Sequence, residues 1–201
     1  YVNRGFVCKN LKNYSDAIEN FDKAVELDDK NSQAYYLLAQ CCDILKNYAD
    51  AIENFGKAIE FDSNNSAAYQ ERGNIYYRLE DYLSAAEDFS KVIQLSPNSA
   101  RAYLRRGISL KNLGNYEAAI SDFSKAIQLN SDYVYAYLNR GLANKDLQNY
   151  EAAISDFSKA IQFDSKYSEA YFNRGLCYQS LGNDENAKTD FAKARKFGYN
   201  K

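Results

Sequence analysis

The sequence predicts an all-α protein, an α-solenoid built from one helical hairpin that the chain repeats. The stretch NYEAAISDFSKAIQ, from Asn115 to Gln128, returns unchanged from Asn149 to Gln162, 34 residues later. Read as a helix, each copy places its alanines, isoleucines and phenylalanine on one face, at steps of three and four residues. Duplication at a fixed period of this length is typical of proteins in which neighbouring helix pairs stack.

A 34-residue frame divides the whole chain without an insertion, and the first unit lacks only its first three positions. Positions are counted within a unit so that a recurring glycine is the eighth. We therefore predict six repeats, with boundaries at 1–31, 32–65, 66–99, 100–133, 134–167 and 168–201.

Four columns of this frame are constant or nearly so. Tyrosine always occupies the fourth position, alanine the twentieth and phenylalanine the twenty-fourth, while the eighth is glycine in all repeats but the second, where it is Ala39. Small residues allow a neighbouring helix to approach closely. We therefore expect the phenylalanine of the second helix to fill the space beside the eighth position of the first helix.

This set of columns resembles the tetratricopeptide repeat (TPR) family, whose pattern includes an aromatic residue at positions 4 and 24 and small residues at 8, 20 and 27. The match runs in register through the whole chain. The resemblance implies a right-handed superhelix of six antiparallel helix-turn-helix units, with helix A of each repeat on the concave face and helix B outside. Pentatricopeptide arrays, which bind RNA, usually have a period one residue longer, and the alanine and phenylalanine spacing does not suit them.

The composition argues against an enzyme. Histidine is absent, which removes the usual general base and the commonest metal ligand. Glycine occurs singly, with no phosphate-binding loop, and no catalytic constellation is recognisable. The sequence therefore predicts a non-enzymatic protein without a cofactor or a metal. A net charge of −2 and the lack of a long apolar run predict neither nucleic-acid binding nor membrane insertion.

The four cysteines are Cys8, Cys41, Cys42 and Cys177. They form no CxxC pair, and each replaces a residue that is apolar or tyrosine in other repeats. We interpret them as small buried residues in a reducing compartment, and therefore expect a cytoplasmic location. The alternative is a redox pair at Cys41 and Cys42.

Two columns depart from the family pattern and vary together. Position 7 is usually leucine in the family, but here it is arginine in every repeat except the second, which has Leu38. Position 23 is aspartate in repeats three to six and asparagine in the others. We interpret the arginine and aspartate as ion pairs between helices, because a buried guanidinium needs an anionic partner. The alternative is a ladder of ligand-binding arginines. The columns leave open whether Arg140 pairs with Asp156 in its own repeat or with Asp122 in the preceding one.

The two ends of the array differ. Positions 21 and 28 are apolar in repeats one to five but are Lys188 and Arg195 in the sixth. We expect such a charged face on a terminal repeat that faces water. At the other end, Val2 and Phe6 have the character of internal residues, so we expect further helices before them.

The resemblance places positions 2, 5, 6, 9, 12 and 13 of helix A in the concave groove, where the repeats stop agreeing. Variation on that face is what a scaffold with a specific ligand surface would show. The predicted partner-binding residues are Tyr36, Gln40, Asn74, Tyr77, Arg101, Leu104, Arg105, Ile108, Lys111, Leu138, Asn139, Leu142, Phe172, Asn173 and Leu176.

Two ligand-binding patterns of the family are matched only in part. Members that grip the C-terminal carboxylate of heat-shock chaperones use five residues from three consecutive repeats. Of these only the last two are matched, by Arg101 and Arg105, and Glu71 would repel a carboxylate, so the full clamp is absent. Other members hold peptide backbone with asparagines at position 6, which Asn139 and Asn173 match among the later repeats.

The groove changes character along the chain. Positions 5 and 9 are apolar in all of repeats four to six, but are tyrosine, glutamine or asparagine in repeats two and three. We expect this apolar stripe to face water and to bind a partner, and the alternative is that a C-terminal segment or a neighbouring molecule covers it. Arg101 and Arg105 lie one helical turn apart beside the stripe, and Lys111 lies further along.

The sequence thus predicts a scaffold for protein–protein interaction that holds a peptide segment or helix of a partner in its groove. The apolar stripe and the positive cluster favour a partner with acidic residues or a free C-terminal carboxylate. The alternatives are a self-association module, and a regulatory or targeting segment of a larger protein whose activity lies outside this chain.

Overall fold

The computed structural model describes residues 1–199, which form twelve α-helices and no strand. The helices are Val2–Asn10 (α1), Tyr14–Leu27 (α2), Ser32–Ile44 (α3), Tyr48–Phe61 (α4), Ser66–Arg78 (α5), Tyr82–Leu95 (α6), Ala100–Asn112 (α7), Tyr116–Leu129 (α8), Val134–Asp146 (α9), Tyr150–Phe163 (α10), Ser168–Ser180 (α11) and Asp184–Lys196 (α12). Each odd-numbered helix packs against the helix that follows it. The prediction of an all-α chain of packed helix pairs is confirmed. None of the described helices is both long enough and apolar enough to cross a lipid bilayer.

The chain divides into two compact units, residues 1–97 and residues 98–201. In the first unit, α1 to α6 pack in sequence, and one cluster of buried alanines, phenylalanines, leucines and cysteines runs from Ala17 to Ile75. In the second unit, α7 to α12 pack in the same way around two clusters, one centred on Phe123 and one on Phe157.

The repeated contact inside the helix pairs of repeats one and three to six is between the glycine of the first helix and the phenylalanine of the second. A Cβ atom added to Gly107 would lie 2.7 Å from Cε1 of Phe123, and one added to Gly141 would meet Phe157 at the same distance. Both phenylalanines are fully buried. The expectation that the ring fills the space beside the small residue is confirmed.

The arginine and aspartate columns form one ion pair within each of repeats three to six. Arg140 donates from Nη2 to Oδ1 of Asp156 at 2.7 Å, and the same 16-residue spacing links Arg72 to Asp88, Arg106 to Asp122 and Arg174 to Asp190. All four aspartates are buried. The structural interpretation of these columns is confirmed, and the partner is the aspartate of the same repeat.

The same arginines also reach the preceding repeat. Arg140 donates from Nη1 to Oγ of Ser124 at 3.0 Å, and Arg174 does the same to Ser158 at 2.9 Å. These two serines occupy equivalent places in the duplicated stretch. One guanidinium therefore joins three helices in this part of the second unit.

The turn inside each pair has one residue in the left-handed conformation. This residue is Lys12, Lys46, Glu80, Gly114, Gln148 or Gly182, with φ between 61° and 78°. The N–H of Gln148 donates to the carbonyl of Lys145 at 2.9 Å, and the next N–H donates to Asn144 at 2.8 Å. These two bonds form a Schellman motif, which satisfies carbonyl groups at the helix end.

The cysteines are free thiols, and three of them, Cys41, Cys42 and Cys177, are buried. Burial raises the pKa of the Cys42 thiol to about 11 and that of Cys177 also to about 11. Cys8 is only partly buried. The prediction that cysteines serve as small buried residues is confirmed for Cys41, Cys42 and Cys177.

Candidate partner-binding surface

The predicted partner-binding residues of repeats four to six lie on α7, α9 and α11 of the second unit. These helices lie side by side, since α7 contacts α9 and α9 contacts α11. We call the surface that they form the first-helix face. Its position follows from the packing: the invariant glycine and arginine of each helix point toward the second helix of the pair, which leaves the variable positions on another side.

A pocket of about 320 Å³ opens on this face between α7 and α9. The residues around it are Arg101, Leu104, Arg105, Ile108, Tyr133, Tyr135 and Asn139. Five of the seven are predicted partner-binding residues. The structure therefore brings the predicted positive cluster and the N-terminal part of the apolar stripe together at one place.

The two arginines of the pocket differ from the arginines of the repeated ion pairs. Arg101 is exposed and Arg105 is half-buried, and neither guanidinium forms a hydrogen bond or an ion pair with any residue from 1 to 199. No aspartate or glutamate lines the pocket. The pocket thus combines two uncompensated positive charges with apolar walls.

Sequence reasoning missed Tyr133 as a wall of this pocket. The equivalent residues Asn31, Asn65 and Ser99 cap the next helix with a side-chain hydrogen bond, whereas Tyr133 precedes α9 without one. A helix cap contributes about 1 kcal/mol. A large aromatic residue in place of a capping residue is therefore a signal in the sequence that this position serves another purpose.

The expectation of a water-facing apolar stripe is wrong for its position-5 leucines. Leu104 is 6% exposed and Leu138 is 4% exposed, because both belong to the hydrophobic clusters of the second unit. Ile108 and Leu142 are half-buried against the same clusters. The leucine at position 5 thus packs inside the repeat stack, and a partner would touch mainly the position-9 side chains and the rings beside them.

At the C-terminal end of the stripe, the chain itself covers an apolar residue. The ring of Tyr199 stacks on that of Phe172 with the centroids 4.2 Å apart and the planes at 21°. Gly198, with φ of 94°, turns the backbone, and the Tyr199 N–H donates to the carbonyl of Ala194 at 3.0 Å. The alternative of a covering C-terminal segment therefore holds for Phe172.

The asparagines and lysines of the first-helix face bind each other. Lys111 donates from Nζ to Oδ1 of Asn139 at 3.3 Å, and Lys145 donates to Oδ1 of Asn173 at 2.7 Å. Each asparagine also donates from Nδ2 to a backbone carbonyl of its own helix. Both amides are thus engaged within the chain, and a peptide backbone would have to displace these bonds. Burial lowers the pKa of Lys111, although Asp146 and Glu169 oppose the shift.

The predicted residues of repeats two and three lie in the first unit, and each contacts another side chain of that unit. Gln40 donates to Oη of Tyr36 at 2.8 Å and accepts a hydrogen bond from Lys9. Asn74 donates to Glu71 at 3.3 Å, and the ring of Tyr77 packs on Tyr82 with centroids 5.5 Å apart. A smaller pocket of about 230 Å³ lies beside Gln40 and contains both Lys9 and Glu71, so its charges are mixed.

Family models of one kind of repeat match most of the chain. Models described as Tetratricopeptide repeat match residues 1–64, 100–133 and 169–196, and a model described as TPR repeat matches residues 73–114 and 145–182. No curated protein matches the sequence at a significant level.

Solved structures of repeat proteins share this fold. A crystal structure of MamA protein has a TM-score of 0.80 and 26% identity, over 83% of this chain and 91% of that chain. YrrB, described as a TPR protein with an unusual peptide-binding site, has a TM-score of 0.78 and 25% identity, over 90% of this chain and 93% of that one. MamA from Desulfovibrio magneticus RS-1 is 22% identical with a TM-score of 0.79, over 84% and 95% of the two chains, and shows the likeness of fold alone. The repeated columns, the packed helix pairs and the matching family models lead to one conclusion: the chain belongs to the tetratricopeptide repeat family.

Proposed function

We propose that the chain is a non-enzymatic protein-interaction scaffold and that the first-helix face of its second unit binds a segment of a protein partner. The observation that carries the proposal is the pair of unpaired arginines, Arg101 and Arg105, beside an apolar pocket. In the four repeated ion pairs, by contrast, the arginine is compensated by a buried aspartate. Charges left uncompensated next to apolar surface suit a ligand that supplies both a carboxylate and an apolar side chain.

The chemistry of the pocket favours a short acidic segment with leucine-like or aromatic side chains. The walls offer Ile108 and two tyrosine rings, and the rim offers two guanidinium groups. A side-chain carboxylate and a C-terminal carboxylate present the same oxygen pair to arginine. YrrB, which is similar in fold, is described as peptide-binding, and this supports a peptide as the ligand class.

The probe for a test is a fluorescent peptide of alternating leucine and glutamate, with the matching leucine and lysine peptide as the charge control. We expect the acidic peptide to bind and to weaken with added salt, because exposed charges are screened. Arg101→Glu together with Arg105→Glu should weaken it by about tenfold or more, since like charges then oppose one another. Free-acid and amidated forms of the peptide separate a C-terminal carboxylate from side-chain carboxylates.

The chain offers a matched control for the charge reversal. Lys125→Glu with Lys159→Glu changes the net charge by the same amount, but on the duplicated helices α8 and α10, away from the pocket. This variant and Gln40→Ala should both bind the peptide as the unchanged chain does. Equal binding by the arginine variant, or crosslinking of the peptide to the even-numbered helices, would refute the proposal.

A further inference from the structure

The two units carry opposite net charges. Residues 1–97 contain 10 basic and 16 acidic residues, a net charge of −6, whereas residues 98–201 contain 15 basic and 11 acidic residues, a net charge of +4. The overall value of −2 conceals this difference. Opposite charges on two parts of one chain make the two parts complementary surfaces for another copy of the chain.

The strongest apolar exposure in the acidic unit lies at the end of α2. Leu27, the last residue of that helix, is 75% exposed. At the equivalent position, Phe61, Phe163 and Phe197 each pack on the tyrosine at position 4 of their repeat, with ring centroids 5.7 to 5.9 Å apart. Leu95 and Leu129 occupy the same position in repeats three and four and are half-buried, so Leu27 is the most exposed of the three leucines in this column.

Carboxylates surround this leucine. The stretch from Glu26 to Lys30 has three acidic residues and one lysine, and all of its side chains are exposed. The last turn of α2 contains no basic residue, although the carbonyl end of a helix favours positive charge. Burial and then the charges of Glu26 and Asp50 raise the pKa of Asp22, which indicates that the negative charges here repel one another.

The pocket of the second unit has the complementary features. Arg101 and Arg105 form no ion pair with any residue from 1 to 199, and Ile108, Tyr133 and Tyr135 form apolar walls. The end of α2 offers carboxylates without a basic partner in its last turn and an exposed leucine. Each surface thus supplies what the other lacks.

We infer that the pocket between α7 and α9 binds the C-terminal end of α2 of a second copy, with Leu27 against the apolar walls and Glu26 and Asp29 facing Arg101 and Arg105. This inference rests on the binding surface of the proposed function and names its occupant. Because the two surfaces are different, the contact is heterologous, and a pair of copies retains one free pocket and one free α2 end. Association of this kind forms rings or extends into chains.

The test uses two charge-reversed full-length variants and light scattering across a concentration series. One variant is Arg101→Glu with Arg105→Glu, and the other is Glu26→Lys with Asp29→Lys. We expect the unchanged chain to associate at low salt and each variant alone to remain monomeric. In a mixture, the unchanged α2 of the arginine variant faces the unchanged pocket of the other variant, and the lysines of the second variant face the glutamates of the first. Because both contacts are then complementary in charge, the mixture should associate again.

The variant with Glu26→Lys and Asp29→Lys also controls for misfolding as a cause of lost association. Lysines at positions 26 and 29 relieve the repulsion around Asp22 and place positive charge at the helix end, so this variant should melt no lower than the unchanged chain. Leu27→Ser removes the apolar contact at an exposed site and should weaken association without affecting the melting temperature.

The inference is overturned if the unchanged chain stays monomeric at low salt up to millimolar concentration, or if the mixture of variants stays monomeric. It is also overturned if association persists in the arginine variant. If the chain stays monomeric but still binds the leucine and glutamate peptide through Arg101 and Arg105, the proposed function stands and only the second copy as occupant is excluded.

Discussion

Four of the six residues in the left-handed turn conformation are not glycine. A left-handed backbone costs a residue with a Cβ atom about 1–2 kcal/mol. Gln148, with φ of 61°, therefore carries strain that Gly114, with φ of 78°, does not. The chain tolerates it because the two Schellman hydrogen bonds of the turn form with either residue.

We expect Gln148→Gly to stabilise the protein by about 0.5–1 kcal/mol, since part of the relieved strain is offset by the greater freedom of glycine in the unfolded chain. Gly114→Ala is the matched control and should destabilise by about 1 kcal/mol, because no atom lies within 4 Å of the added Cβ and only the backbone is strained. Urea denaturation followed by circular dichroism measures both changes. Equal stability of the two variants would contradict the assignment of backbone strain to Gln148.

Glycine recurs at the position of Gly107 for a different reason, because a side chain there would have no room beside the second helix. An added Cβ would lie 2.7 Å from the buried ring of Phe123. Gly107→Leu should therefore force α7 and α8 apart and cost about 1–3 kcal/mol or more. The measurement is thermal melting, and an unchanged melting temperature would show that this position does not face the second helix.

At the scale of elements, the ion pairs explain why position 7 can depart from leucine. Asp156 is buried and accepts hydrogen bonds from Arg140 Nε and Nη2 and from Asn144 Nδ2. The same pairing in the third repeat has a visible electrostatic effect. Hydrogen bonding to Asp88 raises the pKa of Arg72, while burial raises the pKa of Asp88 against the influence of that arginine.

Arg140→Leu should destabilise the protein by about 3 kcal/mol, because it leaves a buried carboxylate without its cation. Adding Asp156→Asn recreates the leucine and asparagine combination of the second repeat, Leu38 with Asn54, and should recover part of the loss. A double-mutant cycle measured by urea denaturation gives the coupling energy. As a control, Arg140→Leu combined with Asp122→Asn should show no recovery of stability. If the stability losses of Arg140→Leu and Asp156→Asn are simply additive, the pairing of Arg140 with Asp156 is contradicted.

For the molecule as a whole, we expect each of the two units to respond separately to a destabilising substitution. In repeat proteins each repeat interacts mainly with its neighbours, so a substitution in one repeat has little effect on the stability of distant repeats. Phe55 lies in the cluster of the first unit and Phe157 in a cluster of the second. Both rings are fully buried.

Phe157→Ala should remove about 3–5 kcal/mol from the stability of the second unit, because it leaves a cavity. Amide hydrogen exchange should accelerate in α9 to α11 and remain almost unchanged in α1 to α4. Phe55→Ala is the reciprocal variant and should reverse the pattern. Uniform acceleration along the whole chain in both variants would show that the protein unfolds as a single cooperative body.

The sequence alone predicts the all-α repeated fold, because a 34-residue period indicates where each helix recurs. It also identified the arginine and aspartate columns as ion pairs. It could not choose between Asp156 and Asp122 for Arg140, since both recur at the same period and only the distance between helices separates them.

The packing of the helices determines which side chains of the first-helix face meet solvent. Periodicity assigned Leu104 and Leu138 to the groove, but neighbouring helices bury them, because side chains from three helices converge at position 5. The repeat frame places Tyr133 in a link between repeats. In the folded chain this residue forms part of the wall of the pocket beside Arg101. A repeat pattern fixes what each position contributes on its own helix, whereas burial and pocket shape depend on the neighbouring helices, and these are defined only when the chain has folded.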